Sequence, residues 1–405
     1  MTDSIDSECA ITKSSSDLKS YKLINLESGL EVLLIDTSKL AESRQSLLDD
    51  KETSHKAAAA IFVSVGSFAD PMEAEGCAHF LEHMIFMGVD SPKYPNAENL
   101  YDSFVSSHGG SCNAFTEGEH TVYQFDITSE YFAEALDIFA CCFKSPLLSI
   151  SASDREIKSI ESEFSLAKGS DGTRLQQLMC DAATEGHVLR KFSWGNMNSL
   201  STVPKSKNVN THKILQEFYR KHYRPSAMKL VVLAPKSLDE IEKNVLDSFS
   251  DWKALPTPSA PVEEKQDSKG KRKRKDAKKS GNVGVDLPSL EECISPFRDI
   301  SPFSPPSGSP ASDQPTYITR IIPHKKTHKL IMTWYMPPCV AEYKTKPGNY
   351  ISHLLGHEGP GSLLSALKVY TLLHFSIYLR PHQIICLHLH YYCHDTAMVV
   401  SSQLS

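Results

Sequence analysis

The stretch CAHFLEHMIFMG, residues 77–88, places two histidines and a glutamate inside an otherwise apolar run. Apolar runs go into a core, where titratable groups are costly unless they are paired or hold a metal. On an α-helix, positions four apart share a face, so His79 and His83 point the same way and Glu82 lies on the adjoining edge. Phe80, Leu81, Met84, Ile85 and Phe86 would bury the rest of the circumference, and Gly88 is a fitting stop. The spacing therefore predicts a buried helix with one polar stripe of two imidazoles and a carboxylate.

That stripe suits a metal. Zinc accepts neutral imidazole nitrogens, and catalytic zinc sites use three protein ligands plus water. A carboxylate beside that water can take its proton and later deliver it to a leaving amine. H-x-x-E-H is the inverted form of the commoner zinc motif. With 17 histidines in 405 residues the pattern alone is suggestive, and two core histidines bonded to neighbouring backbone would also account for it.

A third ligand can come from SDREIKSIESEFSLAKG, residues 153–169, read as a helix capped by Ser153 with an acidic first turn. Glu156 and Glu163 lie seven apart and stack on one face, whereas Glu161 is rotated away. Ile157, Ile160 and Phe164 form the apolar side. From spacing, either Glu163 or Glu156 could be the ligand, and a solvated acidic face explains the pattern equally well.

The ordered segments FADP, HFLEHMIFMG, KYPNAENLYDSF, GGSCNAFTEGEHTVYQFD, ALDIFACCFKSPL, DREIKSIESEF, KFSWGN, RPSAM and GHEGPGSLLSALK shift that balance. Together they resemble the insulysin–nardilysin branch of the inverzincin metallopeptidases, the pitrilysin family, over roughly 20–255 and 316–368. The HFLEHMIFMG and SWGN forms look nardilysin-like, whereas NAFT is the insulysin-like version of its strand. The resemblance implies that His79, His83 and Glu163 hold one Zn2+ per chain and that Glu82 is the general base. It implies that Glu156 orients a ligand, and that Asn113, Ala114 and Phe115 lie on the strand that pairs with an extended peptide. A nardilysin-like enzyme would favour bonds near basic residues.

Other expectations follow from the rest of the chain. A length of 405 residues and 40% hydrophobic content predict more than one domain. A net charge of −6 argues against a nucleic-acid binder, and the longest apolar piece near the C-terminus is too short for a membrane span. Ten cysteines without regular spacing, including the adjacent Cys141 and Cys142, read as buried thiols of a cytoplasmic protein.

The predicted organisation starts with a disordered N-terminus, 1–19, and a catalytic zinc-binding domain, 20–254. A charged linker follows over 255–315, then the start of a second, metal-free family domain, 316–368, and a non-family tail, 369–405. The fold class is α+β, a mostly antiparallel sheet with helices on one face, repeated in an incomplete second domain. Strands are expected at the hairpin around Ser28–Gly29, at 57–66, 121–125 and 228–234, and twice within 317–338. Residues 39–56 read as a surface loop, 97–107 and 131–143 as helices, and Ser237–Glu240 as a capping box.

The basic run 269–279 could serve nuclear import, although a solvated linker suits it better. His353 and His357 in HLLGHE read as a structural helix end. The resembled family closes four related domains around a chamber, and its C-terminal half adds an arginine and a tyrosine to the chemistry. A truncated member ending in its second domain would lack them, leaving an incomplete sheet with an open edge. Two functions of different class follow. One is a zinc metalloendopeptidase. The other is a non-catalytic, zinc-containing half-molecule that binds peptides, a full-length relative or a second copy of itself.

Overall fold

The computed structural model describes residues 11–45, 55–252, 287–295, 317–324, 330–335, 342–362, 365–366, 373–380, 384–391 and 397–401. These fall into two compact units. The first runs to Phe164 and resumes over Lys191–Ser295; the second takes Ser165–Arg190 and the chain from Pro296 onward.

The first unit opens with a hairpin of β1 (Ser20–Asn25) and β2 (Glu31–Asp36), turned at Gly29 with φ +87°, a left-handed conformation that glycine adopts freely. Residues 39–56 were expected to form a loop, yet α1 (Ser38–Gln45) forms there. The Asp36 carboxylate accepts from the Ser38 amide and so caps its start. Residues 46–54 lie outside the described set. Next come β3 (Lys56–Val63) and α2 (Cys77–Phe86), which carries the histidine stripe. The short strands β4 (Gly88–Val89) and β5 (Ala97–Glu98) pair with each other. The helix expected over 97–107 is therefore shorter, as α3 (Leu100–Ser107).

The hairpin of β6 (Ser111–Thr116) and β7 (Thr121–Thr128) leads to α4 (Phe132–Lys144) and α5 (Ile150–Ala167). The cap of α5 is not Ser153. The Ser149 hydroxyl accepts from the Ala152 amide, while Ser153 is buried one turn inside and bonds the Ser149 carbonyl and His212. The acidic residues after Ser153 pointed to that serine, one turn inside the observed start.

Helix α6 (Asp171–Asp181) belongs to the second unit. Back in the first, α7 (Val203–Ser206) and α8 (Thr211–His222) precede β8 (Met228–Ala234) and α9 (Leu238–Phe249), whose Ser237–Glu240 capping box is present as expected. Inside the segment read as a linker, a second capping box, Ser289–Glu292, starts α10 (Leu290–Ile294), and Cys293 is buried. The basic run 269–279 lies outside the described residues.

The six-stranded sheet has the order β1-β2-β8-β3-β7-β6; only the β2–β8 pairing is parallel. Alternation along the strands explains its burial. Val32, Leu34, Ile61, Tyr123, Phe125 and Leu230 point into one core with α2, α4 and α9, while Leu23 and Val231 face outward. Cys141 and Cys142 are buried free thiols of that core. Strand β6 is an edge, so one side of its backbone ladder is unpaired within the sheet.

The second unit contains β9 (Tyr317–Ile321), β10 (Leu330–Tyr335), α11 (Pro347–Leu355), β11 (Leu373–Arg380), β12 (Ile384–Tyr391) and β13 (Ala397–Ser401). Its sheet has the order β11-β12-β10-β13-β9, again mostly antiparallel. Residues 373–401 thus supply three of the five strands. Helix α11 carries His353 and ends at Gly356 before His357. Among the described residues no helix is long and apolar enough to cross a membrane.

One buried group makes stability depend on pH. His222, at the end of α8, packs at a tilt against Phe218 and is 8% exposed; burial, aided by Lys221 and Arg224, pushes its pKa down to about 4. A histidine depressed from 6.5 contributes full stability above pH 6.5 and loses it as pH falls toward 4, by about 3 kcal/mol in all. His222→Phe should therefore lose less thermal stability than the wild type between pH 7 and 4.5. Equal losses in calorimetry would contradict this origin.

Candidate metal centre

Helix α2 starts at Gly76, held by Asp70 of the FADP turn. The two Asp70 carboxylate oxygens accept from the amides of Gly76 (2.8 Å) and Ala78 (2.7 Å), satisfying donors that a helix N-terminus leaves open. Lys191 in turn donates to the carbonyls of Phe68 and Asp70. Gly76 has φ +91°, and a Cβ there would lie 2.2 Å from Gly195 Cα, so only glycine lets the SWGN loop approach this closely.

That contact sets the imidazoles. His79 Nδ1 donates to the Trp194 carbonyl at 2.6 Å, and His83 Nδ1 donates to Glu156 Oε2 at 3.1 Å. A carbonyl can only accept, so the proton of neutral His79 resides on Nδ1 and its Nε2 carries a lone pair. Both Nε2 atoms face Glu163, at 3.7 Å from His79 and 3.6 Å from His83. These gaps exceed a hydrogen bond, yet are near the ligand–ligand separation of about 3.3 Å expected around tetrahedral zinc. Among the described residues, His79, His83 and Glu163 form the group whose donor atoms converge closely enough to hold a metal ion, within 4.8 Å of one another. The donor set of two imidazole nitrogens and one carboxylate fits a zinc ion.

Electrostatics favour a cation there. The His83 imidazole facing Glu163, with His79 beside it, lowers the pKa of that carboxyl. Burial pulls the His83 pKa down, but Glu156 and Glu163 outweigh it and raise the value to about 9. The anionic surroundings that favour the protonated form of His83 favour a metal ion as well.

Glu82 lies beside this group. Burial raises its pKa, opposed by a 2.5 Å hydrogen bond from the Thr116 hydroxyl and by the two histidines. Thr116 ends edge strand β6, which also carries Asn113, Ala114 and Phe115; Phe115 is exposed and Ala114 half-buried. Glu161, rotated from the metal group as its spacing suggested, accepts from the Met197 amide at 2.8 Å and ties α5 to the SWGN loop.

The structure thus separates the two glutamates that spacing left equivalent: Glu163 faces the Nε2 atoms and Glu156 the Nδ1 of His83. Sequence reasoning missed Asp70, Thr116 and the Trp194 carbonyl. FADP and NAFT flagged the segments, but a backbone acceptor leaves no side-chain signature.

An α+β unit presenting an H-x-x-E-H helix beside a free sheet edge defines a metallopeptidase-like domain. Two adjoining family models match: Insulinase (Peptidase family M16) over residues 46–191 and Peptidase M16 inactive domain over 211–383. The chain belongs to the M16 peptidase family, in its nardilysin and insulin-degrading enzyme group.

Nardilysin of Rattus norvegicus is 41% identical over 318 residues, covering 78% of this chain and 24% of that protein. Insulin-degrading enzyme of Homo sapiens is 35% identical over 358 residues, covering 88% and 29%. The chain spans about a quarter of the length of the nardilysins it matches. Crystalline pitrilysin shares the fold, with a TM-score of 0.70 at 23% identity over 95% of this chain and 35% of that one. The second family model extends beyond Lys368, where the recognisable motifs end, to residue 383.

Proposed function

We infer that this chain is the catalytic portion of a zinc-dependent metalloendopeptidase acting on extended peptides. The observation that carries the reading is the convergence of His79, His83 and Glu163 beside Glu82, next to the open edge of β6. Bound zinc would supply Lewis acidity for the scissile carbonyl and for water. The protein does the rest. The free ladder of β6 takes a peptide as an added strand around Asn113, Ala114 and Phe115, with backbone bonds giving affinity. Glu82 accepts the proton of the attacking water and returns it to the departing amine nitrogen. Glu156 and the Trp194 carbonyl hold the imidazoles in the tautomer that leaves Nε2 free for the metal.

A preference for basic residues is carried by the likeness to nardilysin. Cys77, Cys141 and Cys142 are buried thiols outside any disulfide, which supports a cytoplasmic setting. The test is cleavage of a quenched peptide carrying a basic pair. Turnover should disappear with a chelator and return with one equivalent of zinc; turnover that survives metal removal would refute the reading. Zinc binding without turnover would favour the peptide-binding half-molecule.

A further inference from the structure

Among the described residues, the Glu82 carboxylate accepts a single hydrogen bond, from Thr116 Oγ1 to Oε2 at 2.5 Å. Among the described residues, its other oxygen, Oε1, accepts no hydrogen bond. Thr116 is the last residue of β6, paired with Thr121 of β7, and its strand is the sheet's free edge. Along β6, Thr116 and Ala114 point to the face that packs on α2, while Asn113 and Phe115 point away.

We propose that Thr116 is a positioning residue for Glu82 and couples peptide docking to the geometry of the base. This role rests on the metallopeptidase reading above. A half-buried carboxylate with four lone-pair sites and one protein donor pivots about that donor. Fixing Oε2 by a short, charge-assisted bond leaves Oε1 as the oxygen that receives the proton. The donor belongs to the strand on which a peptide would dock, so a peptide that straightens β6 also seats the base. Neither His79 nor His83 can replace it, since their Nδ1 protons are committed to Trp194 and Glu156.

The experiment uses the full chain carrying Thr116→Val, which keeps the shape but removes the hydroxyl, and Thr116→Ser, which restores it. Misplacing a base through its support costs on the order of 10–100-fold. Thr116→Val should lower kcat by that factor while KM and zinc stoichiometry stay within about twofold, and Thr116→Ser should recover most of the loss. A valine variant with wild-type kcat, a raised KM at unchanged kcat, or a serine variant as impaired as valine would overturn the proposal.

A thermal cycle over Thr116→Val and Glu82→Leu reads the bond apart from turnover. The valine substitution should lower Tm by several degrees with Glu82 present and by clearly less with Leu at 82; additive shifts would overturn the proposal. An inactive wild type with a non-additive cycle would refute the peptidase reading while leaving Thr116 as the support of Glu82.

Discussion

Glu82→Gln is expected to abolish peptide hydrolysis while leaving zinc in place. The substitution keeps size and shape, and an amide oxygen can still accept from Thr116. What it removes is the site that accepts a proton. General base catalysis of this kind contributes roughly 10²–10⁴-fold, so kcat on the quenched peptide should fall by at least the lower figure. Zinc content should hold near the wild-type value, because Glu82 is absent from the converging donor group. A glutamine variant retaining more than about a tenth of wild-type kcat would remove Glu82 from the chemistry.

The second large effect concerns the two glutamates of α5. Glu163→Gln replaces the anionic member of a three-donor set, leaving two neutral imidazoles. Glu156→Gln weakens only the outer support of His83, a change that typically costs 10–100-fold in metal affinity. Competition against a chromophoric chelator should therefore rank zinc affinity as wild type, then Glu156→Gln, then Glu163→Gln, with the last weaker by more than about 100-fold. The reverse order would exchange the roles of the two residues. Equal weakening would mean that both carboxylates share the ion.

Much of this was legible in the sequence because local rules agreed. The 3-and-4 spacing of His79, Glu82 and His83 fixed a helix face, alternation over 121–125 fixed one strand, and the apolar run 228–234 read as a buried one. The capping box at Ser237 is chemically self-contained, so it formed as read.

What sequence left open was every choice made across space. Glu156 and Glu163 share a helix face by periodicity. Only the approach of α2, some 70–80 residues earlier, decides which one meets Nε2. The Trp194 carbonyl reaches His79 across 115 residues, and Gly76 permits it only because Gly195 also lacks a side chain. The helix at Ser38–Gln45 has no apolar face to announce it and is started by the Asp36 carboxylate. Residues beyond Lys368 carry none of the recognisable motifs, yet they build three strands of the second sheet.

X-ray absorption at the zinc edge of the zinc-loaded chain would read the proposed ligand set of two imidazoles and one carboxylate atom by atom. The expected result is one zinc per chain surrounded only by nitrogen and oxygen at about 2.0–2.1 Å, with the multiple scattering of two imidazoles. A sulfur shell at about 2.3 Å, or a chain that retains no stoichiometric zinc, would contradict it.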